Sequence, residues 1–327
     1  MKRIAQCIAL ALGLAASAAA LAQTEGDSFP TRPIKLVVGY VPGGSPDTVA
    51  RIVSQRMGQI LGQPVVVENR AGAGGTLATA QVAKTAADGY TLLLGETGQL
   101  VIAPWITKSL PYNVLNDFAP VGMVGSTPLV LVASAKSEIR TLQDLIQQAR
   151  AKPGSLDYGS SGNGTIHHIA AEVFKAEANI DLMHVPYKGS GQSVPALLAG
   201  DVPVLMTSLT VVLPFVQAGT VKLLGVTSAT RYSELPNVPA VGEVVKGYDY
   251  SSEMGILVPV GTPAPIVNKL TNALREALNT PEVQKQFKLG SIISTYATPA
   301  DYRENLKRNL SKYERATKLA KLGAPTN

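Results

Sequence analysis

The chain has 327 residues, 46% of them hydrophobic and only 5% aromatic, and its formal net charge is +6 at pH 7. This length exceeds the usual size of a single core and predicts two domains. Because the positive charge is spread without a block of like charges, and few aromatic rings are present for bases to stack on, the composition argues against nucleic-acid binding.

The first 22 residues have the pattern of a secretory signal peptide. Lys2 and Arg3 precede an apolar run over residues 8–21, which is shorter than the roughly 20 residues of a membrane-spanning helix. We therefore predict export to the periplasm as a soluble mature protein that begins near Gln23. Loss of Lys2 and Arg3 lowers the charge from +6 to +4, and loss of Cys7 removes the only cysteine.

Short β-branched runs alternate with helical patterns along the mature chain, which predicts an α/β protein with parallel sheets covered by helices. The predicted strands cover residues 35–40, 64–69, 91–96, 119–125, 129–133, 156–160, 183–187, 202–207, 221–228 and 254–259. Two helices finish the chain, one over residues 265–278 and one that begins at a Thr298-x-x-Asp301 capping pattern.

Long connections predicted near residues 125–128 and 229–239 divide the mature chain into two lobes. The first lobe is expected to contain residues 23–126 and 231–327, and the second residues 127–230. We expect two doubly wound sheets joined by a two-stranded hinge, because the chain crosses twice between the lobes. Such an arrangement leaves a cleft suited to a ligand.

The strongest local signal is the segment GYVPGGSPD over residues 39–47, which lies between a predicted strand and a predicted helix. Ser45 is predicted as the helix N-cap and Pro46 as the first helical residue. Gly43 and Gly44 let the backbone approach a ligand, and the free amides at a helix start favour an anion such as a carboxylate.

A second segment, YGSSGNGT over residues 158–165, repeats this arrangement in the other half of the chain. Both turns follow the carboxyl end of the first strand of their predicted lobe, where ligands bind in open α/β sheets. Two helix N-termini that face one cleft would suit a dicarboxylate, or one carboxylate held from both sides. The alternative is that both are ordinary strand-to-helix turns.

Other segments give weaker signals. The run GAGG at residues 72–75 is interpreted as a packing turn, because the lysine of a phosphate-binding loop does not follow it. His167, His168 and His184 are expected to pack or cap, because no metal-ligand spacing accompanies them. Since neither a nucleophile elbow nor a zincin motif occurs, we predict a protein that is not an enzyme and that uses no cofactor or metal.

Further candidates lie where predicted strands end. Tyr187 opens the segment YKGSG, whose Lys188 either contacts an anion or is a solvated surface charge. Thr207 and Ser208 end the next strand, where their hydroxyls either contact ligand or cap a helix. In the first half of the chain, Thr97 and its neighbours Glu96 and Gly98 lie at the corresponding end of a predicted strand.

The chain resembles the Bug receptors, the periplasmic substrate-binding proteins of tripartite tricarboxylate transporters. The resemblance rests on motifs that follow one another over nearly all the mature chain: R-P-I-x-L-V-V from Arg32, P-G-G-S-x-D, L-G-Q-P-V-V-V-E-N-R, G-A-G-G, D-G-Y-T-L-L-L-G, K-P-G-x-L-x-Y-G-S-S-G-N-G-T, H-V-P-Y-K-G-S-G and G-I-L-V-P-V-G-T-P. It implies a type II periplasmic-binding fold that closes on a carboxylated solute and delivers it to a two-component inner-membrane permease.

Ligand contacts carried over from the family by motif fall on the two turns. They are Pro42, Gly43, Gly44, Ser45 and Asp47 in the first turn, and Ser161, Gly162, Asn163, Gly164 and Thr165 in the second.

Two departures from the family pattern concern the ligand. Thr207 stands where many members have an aspartate, and Ala103 where an asparagine is common. The missing aspartate makes an amino-acid ligand less expected and favours a mono- or dicarboxylate without an amino group. We expect a monomer, with a periplasmic sensor that presents a carboxylate to a signalling protein as the alternative function.

Overall fold

The computed structural model describes residues 28–322, so the predicted signal peptide lies outside the described residues. Ten strands are present in this range. They are β1 (Ile34–Val38), β2 (Val65–Asn69), β3 (Thr91–Glu96), β4 (Phe118–Ser134), β5 (Asp157–Ser160), β6 (Met183–Pro186), β7 (Val204–Ser208), β8 (Val221–Val226), β9 (Ser251–Pro259) and β10 (Ile293–Ala297).

Helices connect and cover these strands. They are α1 (Ser45–Leu61), α2 (Thr76–Val82), α3 (Ala103–Ile106), α4 (Val114–Asp117), α5 (Leu142–Ala151), α6 (Ile166–Ala178), α7 (Ser190–Ala199), α8 (Leu209–Gln217), α9 (Ala264–Leu278), α10 (Pro281–Leu289) and α11 (Pro299–Leu319), with short 3₁₀ turns at Ala73–Gly75 and Val241–Glu243 and a π-helical segment at Gly98–Ile102. No helix between residues 28 and 322 is long and apolar enough to cross a membrane.

The strands form one mixed sheet in the order β2-β1-β3-β9-β4-β7-β5-β6, and β8 and β10 also pair with β4. The pairs β1–β2, β1–β3, β5–β6 and β5–β7 are parallel, as predicted. The expectation of parallel sheets holds for these pairs only, because β9 returns antiparallel between β3 and β4 and makes the sheet mixed. Strand β4 then continues antiparallel beside β7 and β8 and joins all the strands into one path.

Strand β4 replaces two predicted strands and the connection expected between them. Residues 125–128 lie inside β4, where Ser126 pairs with Glu253 and Pro128 with Ser251 of β9. From Leu129 onward the same strand pairs with β7. The glycines that suggested a break fall at register shifts in the β4–β9 pairing, which bend the strand without ending it.

The packing of α1 on β1 positions the first glycine-rich turn. Leu36 and Val38 of β1 are fully buried in one apolar cluster with Val49 and Val53 of α1. Each such side chain stabilises the fold by roughly 1.5–3 kcal/mol relative to leaving it in water. The turn at residues 39–44 is therefore held between two elements that are themselves fixed in the core.

The final helix begins as predicted. The Asp301 N–H donates to Thr298 Oγ1 over 3.2 Å, which satisfies one of the free amides at the start of α11. Helix α9 likewise lies within one residue of its predicted range.

Candidate functional site

Two adjoining cavities lie between the glycine-rich turns. The serine cavity has a volume of about 30 Å³ and is lined by Tyr40, Val41, Gly44, Ser45, Pro46, Glu96, Ser161, Thr165, Ile166, His167, Gly189, Ser190 and Ser252. The glycine cavity has a volume of about 410 Å³ and is lined by Gly39, Tyr40, Val41, Ala71, Gly72, Ala73, Gly74, Gly75, Ser161, Gly162, Asn163, Thr165, Tyr187, Lys188 and Gly189. Shared lining residues make them neighbouring parts of one cleft.

Three helix N-termini converge on the serine cavity. It is lined by Ser45 at the start of α1, by Ile166 at the start of α6 and by Ser190 at the start of α7. No side chain caps the first amides of α1 or α7, so backbone donors remain free there. Because the positive ends of the helix dipoles also point this way, the cavity is suited to an anion.

The start of α1 differs from the predicted one. Gly44 is the N-cap, and Ser45 lies inside the helix with no capping bond from its side chain. The Ser45 hydroxyl instead donates to Ser208 Oγ over 3.1 Å. The prediction of Ser45 as N-cap is therefore wrong, and Pro46 follows as the second helical residue.

A chain of polar groups connects the two turns. His167 Nε2 lies 3.0 Å from Ser208 Oγ, and its Nδ1 is hydrogen-bonded to Ser161 Oγ. Burial lowers the pKa of His167 to about 4, so the ring is neutral at pH 7. The imidazole thus brings no positive charge to the cavity; it orders the hydroxyls of Ser161 and Ser208.

The second turn requires glycine at two positions. Gly162 has φ +126°, and a Cβ there would lie 2.8 Å from the Tyr187 carbonyl oxygen. Gly164 has φ +74°, and a Cβ there would lie 2.6 Å from Ile106 Cδ1. These left-handed conformations bring the backbone of residues 161–165 against the cleft, and Thr165 accepts a hydrogen bond from the His168 N–H to cap α6.

Asp47 fixes the first turn from behind. Its carboxylate accepts hydrogen bonds from the Gly43 N–H at 3.0 Å, Arg51 Nε at 3.0 Å and Asn69 Nδ2 at 2.9 Å. Burial opposes ionisation of Asp47, but these hydrogen bonds outweigh it, and the pKa is lowered. Asp47 lines neither cavity, and its hydrogen bond to the Gly43 N–H positions the backbone of the first turn.

A buried carboxyl group lies in the wall of the serine cavity. Glu96 is 2% exposed; its Oε1 accepts from Ser252 Oγ at 2.7 Å, and its Oε2 accepts from Tyr40 OH at 2.6 Å and from the Gly98 N–H at 2.8 Å. Tyr40 OH also lies 3.2 Å from the Gly74 carbonyl oxygen. Burial raises the pKa of Glu96, and the three hydrogen bonds offset only part of that rise.

The predicted site residues separate into two groups. Seven of them line the cavities: Gly44, Ser45, Ser161, Gly162, Asn163, Thr165 and Tyr187. The other seven do not: Pro42, Gly43, Asp47, Thr97, Gly164, Thr207 and Ser208.

Most of the second group support the site from outside. Thr97 Oγ1 accepts from the Glu253 N–H at 2.9 Å and so joins β3 to β9. Thr207 Oγ1 is buried with no hydrogen-bond partner among the described residues. Lys188 was predicted either to contact an anion or to be a solvated surface charge. It is exposed and also lines the glycine cavity.

Sequence reasoning missed several contributors to the cleft. The run at residues 72–75, interpreted as a packing turn, lines the glycine cavity. His167 and Glu96 line the serine cavity, although neither was chosen as a ligand contact. A buried acidic residue at a strand's carboxyl end was the available signal for Glu96.

Comparisons with known proteins give a matching family model and several relatives. The family model described as tripartite tricarboxylate transporter family receptor matches residues 49–319. Protein BugT of Bordetella pertussis is 38% identical over 288 residues, which cover 87% of this chain and 88% of that protein.

Solved structures give the same result. A periplasmic transporter is 33% identical with a TM-score of 0.84, covering 89% of this chain and 97% of the other. Rpa4515 of R. palustris, solved with adipate, is 30% identical with a TM-score of 0.88, covering 91% and 100%. MatC of Rhodopseudomonas palustris, solved with bound malate, is 29% identical with a TM-score of 0.83, covering 88% and 99%. The chain therefore has the mixed α/β periplasmic-binding fold of a non-enzymatic binding protein.

Proposed function

Because the chain belongs to the tripartite tricarboxylate transporter receptor family, we propose that it captures a small carboxylated solute in the cleft and delivers it to a two-component inner-membrane permease. The observation that carries this proposal is the convergence of three helix N-termini on the serine cavity, two of them without a side-chain cap. A carboxylate placed there accepts hydrogen bonds from amides that otherwise lack partners.

The class of ligand follows from the size and polarity of the cleft. The serine hydroxyls, backbone amides and neutral His167 of the serine cavity, with about 410 Å³ of adjoining space in the glycine cavity, suit a mono- or dicarboxylate. Relatives solved with adipate and with malate support this class. Thr207 in place of an aspartate made an amino-acid ligand less expected. Because Thr207 lines neither cavity, amino acids belong among the carboxylates to be tested.

We further propose that two lobes close on the ligand, residues 23–126 and 231–327 in one and residues 127–230 in the other. The grouping of strands supports this division: β5 to β8 fall within residues 127–230, whereas β1 to β3, β9 and β10 fall outside it. Strand β4 passes from one group to the other at residues 128–129, where its partner changes from β9 to β7. This passage would provide one of the two hinge segments.

We place the mature protein in the periplasm as a monomer. The periplasmic transporter among its solved relatives and the basic, then apolar, start of the sequence support this location.

The test is a binding screen on the purified mature protein. Thermal-shift measurements with monocarboxylates, dicarboxylates and amino acids should reveal stabilisation by at least one carboxylate, since a ligand stabilises the native state that binds it. Isothermal titration calorimetry should then give a one-to-one complex without consumption of the ligand. If no carboxylate stabilises the protein, or if the ligand is converted, the receptor proposal fails.

A further inference from the structure

The wall of the serine cavity contains a feature that a simple anion site does not need. Glu96 at the carboxyl end of β3 is the acidic residue among those that line the cavities in the described chain, and it is 2% exposed. A carboxylate ligand in the same cavity would be repelled by an ionised Glu96 that had no other role. The position of this side chain therefore calls for a ligand with more than one kind of polar group.

The hydrogen bonds around Glu96 leave it one free acceptor position. Oε2 accepts two bonds, from Tyr40 OH and from the Gly98 N–H. Oε1 accepts one, from Ser252 Oγ at 2.7 Å, although a carboxylate oxygen accepts two. Among the described residues no cationic side chain contributes to its ionisation, so Glu96 has no built-in counter-charge.

The cavity therefore combines two kinds of polar group. The starts of α1, α6 and α7 supply hydrogen-bond donors for a carboxylate, whereas Glu96 supplies an acceptor backed by Ser252 on β9. A molecule with a carboxylate and a nearby hydroxyl or ammonium group presents the complementary pair of groups. A plain carboxylic acid would leave the second acceptor position on Oε1 unused.

We propose that Glu96 is a specificity-determining residue that accepts a hydrogen bond from a hydroxyl or ammonium group carried by the ligand beside its carboxylate. This inference rests on the proposed capture of a carboxylate in the same cavity and narrows its ligand class. Many family members have an aspartate at the position of Thr207. In this chain the acidic group lies on β3 instead, since Glu96 lines the serine cavity whereas Thr207 lines neither cavity.

Two matched series of acids test the proposal on the wild-type protein. Succinate, malate and aspartate share one carbon skeleton and differ only in carrying hydrogen, hydroxyl or ammonium; butanoate, 2-hydroxybutanoate and 2-aminobutanoate form the monocarboxylate series. Calorimetry should show at least one donor-bearing acid binding at least about tenfold more tightly than its unsubstituted counterpart, because its donor fills the free acceptor position on Oε1. Whether the hydroxy acid or the amino acid of a series binds more tightly then identifies the donor.

The variant Glu96→Gln separates a specificity role from a structural one. The amide keeps the shape and can still accept from Gly98, but it places a donor where the carboxyl offered an acceptor. The preference for the donor-bearing acid should therefore fall at least about tenfold. Glu253→Gln is the matched control, because Glu253 lies on neighbouring β9, bonds Asn309 through Oε2 at 2.8 Å and lines neither cavity.

The outcomes separate this inference from the proposed function. If unsubstituted acids bind wild type as tightly as their hydroxyl and amino counterparts, the role of Glu96 is wrong while carboxylate capture stands. An undiminished preference in a folded Glu96→Gln variant would overturn it equally. If neither these six acids nor any other carboxylate binds, both proposals fail. If Glu96→Gln does not fold, the absence of a preference in the wild-type protein still overturns the inference.

Discussion

The Ser45 hydroxyl donates to Ser208 Oγ over 3.1 Å, although 163 positions separate the two residues in the chain. Ser45 begins the helix that follows the first glycine-rich turn, and Ser208 ends β7 beside the second. His167 Nε2 lies 3.0 Å from the same Ser208 oxygen. This contact therefore joins both halves of the cleft at the serine cavity.

Replacement of Ser45 by alanine should weaken carboxylate binding about two- to tenfold, since one hydrogen bond between the halves is lost. Calorimetry with a carboxylate identified in the screen measures the change. Ser54→Ala is the control on the same helix, because the Ser54 hydroxyl bonds the Arg51 carbonyl and lines neither cavity. Equal affinity in both variants would exclude a role for the Ser45–Ser208 contact in capture.

The variants Gly44→Val and Gly164→Val should both weaken binding at least about tenfold, for different reasons. A Cβ at Gly44 meets nothing closer than 3.7 Å, so valine fits the fold but fills part of the serine cavity. Gly164 has φ +74°, where valine is strained and clashes with Ile106, so this variant should also lose about 1–3 kcal/mol of stability.

Gly191→Val is the size-matched control for these glycine variants, because a Cβ at Gly191 meets open space and the residue lines neither cavity. Chemical denaturation should give a cooperative transition for all three variants, and calorimetry should give near wild-type affinity for Gly191→Val alone. Unchanged affinity in the Gly44 and Gly164 variants would remove both turns from the site.

The protein should lose stability as the pH falls from about 6.5 towards 4. Burial lowers the pKa values of His167, His168 and His184 to about 4, whereas the same rings in the unfolded chain keep their ordinary value of 6.5. In this window the unfolded state binds more protons than the folded state, so acid favours unfolding by up to about 1.4 kcal/mol per pH unit for each proton.

Denaturation curves at several pH values measure this slope. His184→Gln should flatten it, because it removes one of the two stacked imidazoles, whose centroids lie 4.1 Å apart. The same variant should be less stable than wild type at pH 7, since Ser160 Oγ lies 2.7 Å from His184 Nε2. A slope that is unchanged in the variant would contradict the assignment of this titration to His184.

Tyr40→Phe should destabilise the fold by about 1–3 kcal/mol, because Glu96 loses a hydrogen bond inside the protein. The control is Tyr90→Phe: the Tyr90 hydroxyl accepts from the Thr31 N–H at an exposed position. Urea denaturation should therefore show a much smaller loss for Tyr90→Phe. Equal losses would mean that the Tyr40–Glu96 contact adds no special stability.

The sequence predicted local features well and remote ones poorly. Strand β3 occupies its predicted residues because TLLLGE is a short apolar run with clear ends. The two turns were recognised because glycine and serine act on their own backbone. Glu96 and His167 were missed as lining residues because their partners are distant in sequence: Ser252 lies 156 positions from Glu96, and Ser208 lies 41 from His167.

Strand β4 was predicted as two strands for a related reason. Gly125 and Pro128 disfavour a regular strand in isolation, but pairing with β9 supplies hydrogen bonds across that stretch. Only the tertiary partner makes the strand continuous. The same effect hides the mixed character of the sheet, because the alternation of strands and helices indicates parallel neighbours and contains no signal for where β9 inserts.

The position of β9 determines when the sheet can be completed during synthesis. β9 is formed by residues 251–259, yet it lies between β3 and β4, which end at residues 96 and 134. A chain leaves the ribosome from its amino end, so both flanking strands exist with unpaired edges long before their shared neighbour is synthesised. Such edges invite pairing with other chains. A chain truncated before residue 251 would lack β9 and leave the edges of β3 and β4 that face it without a partner.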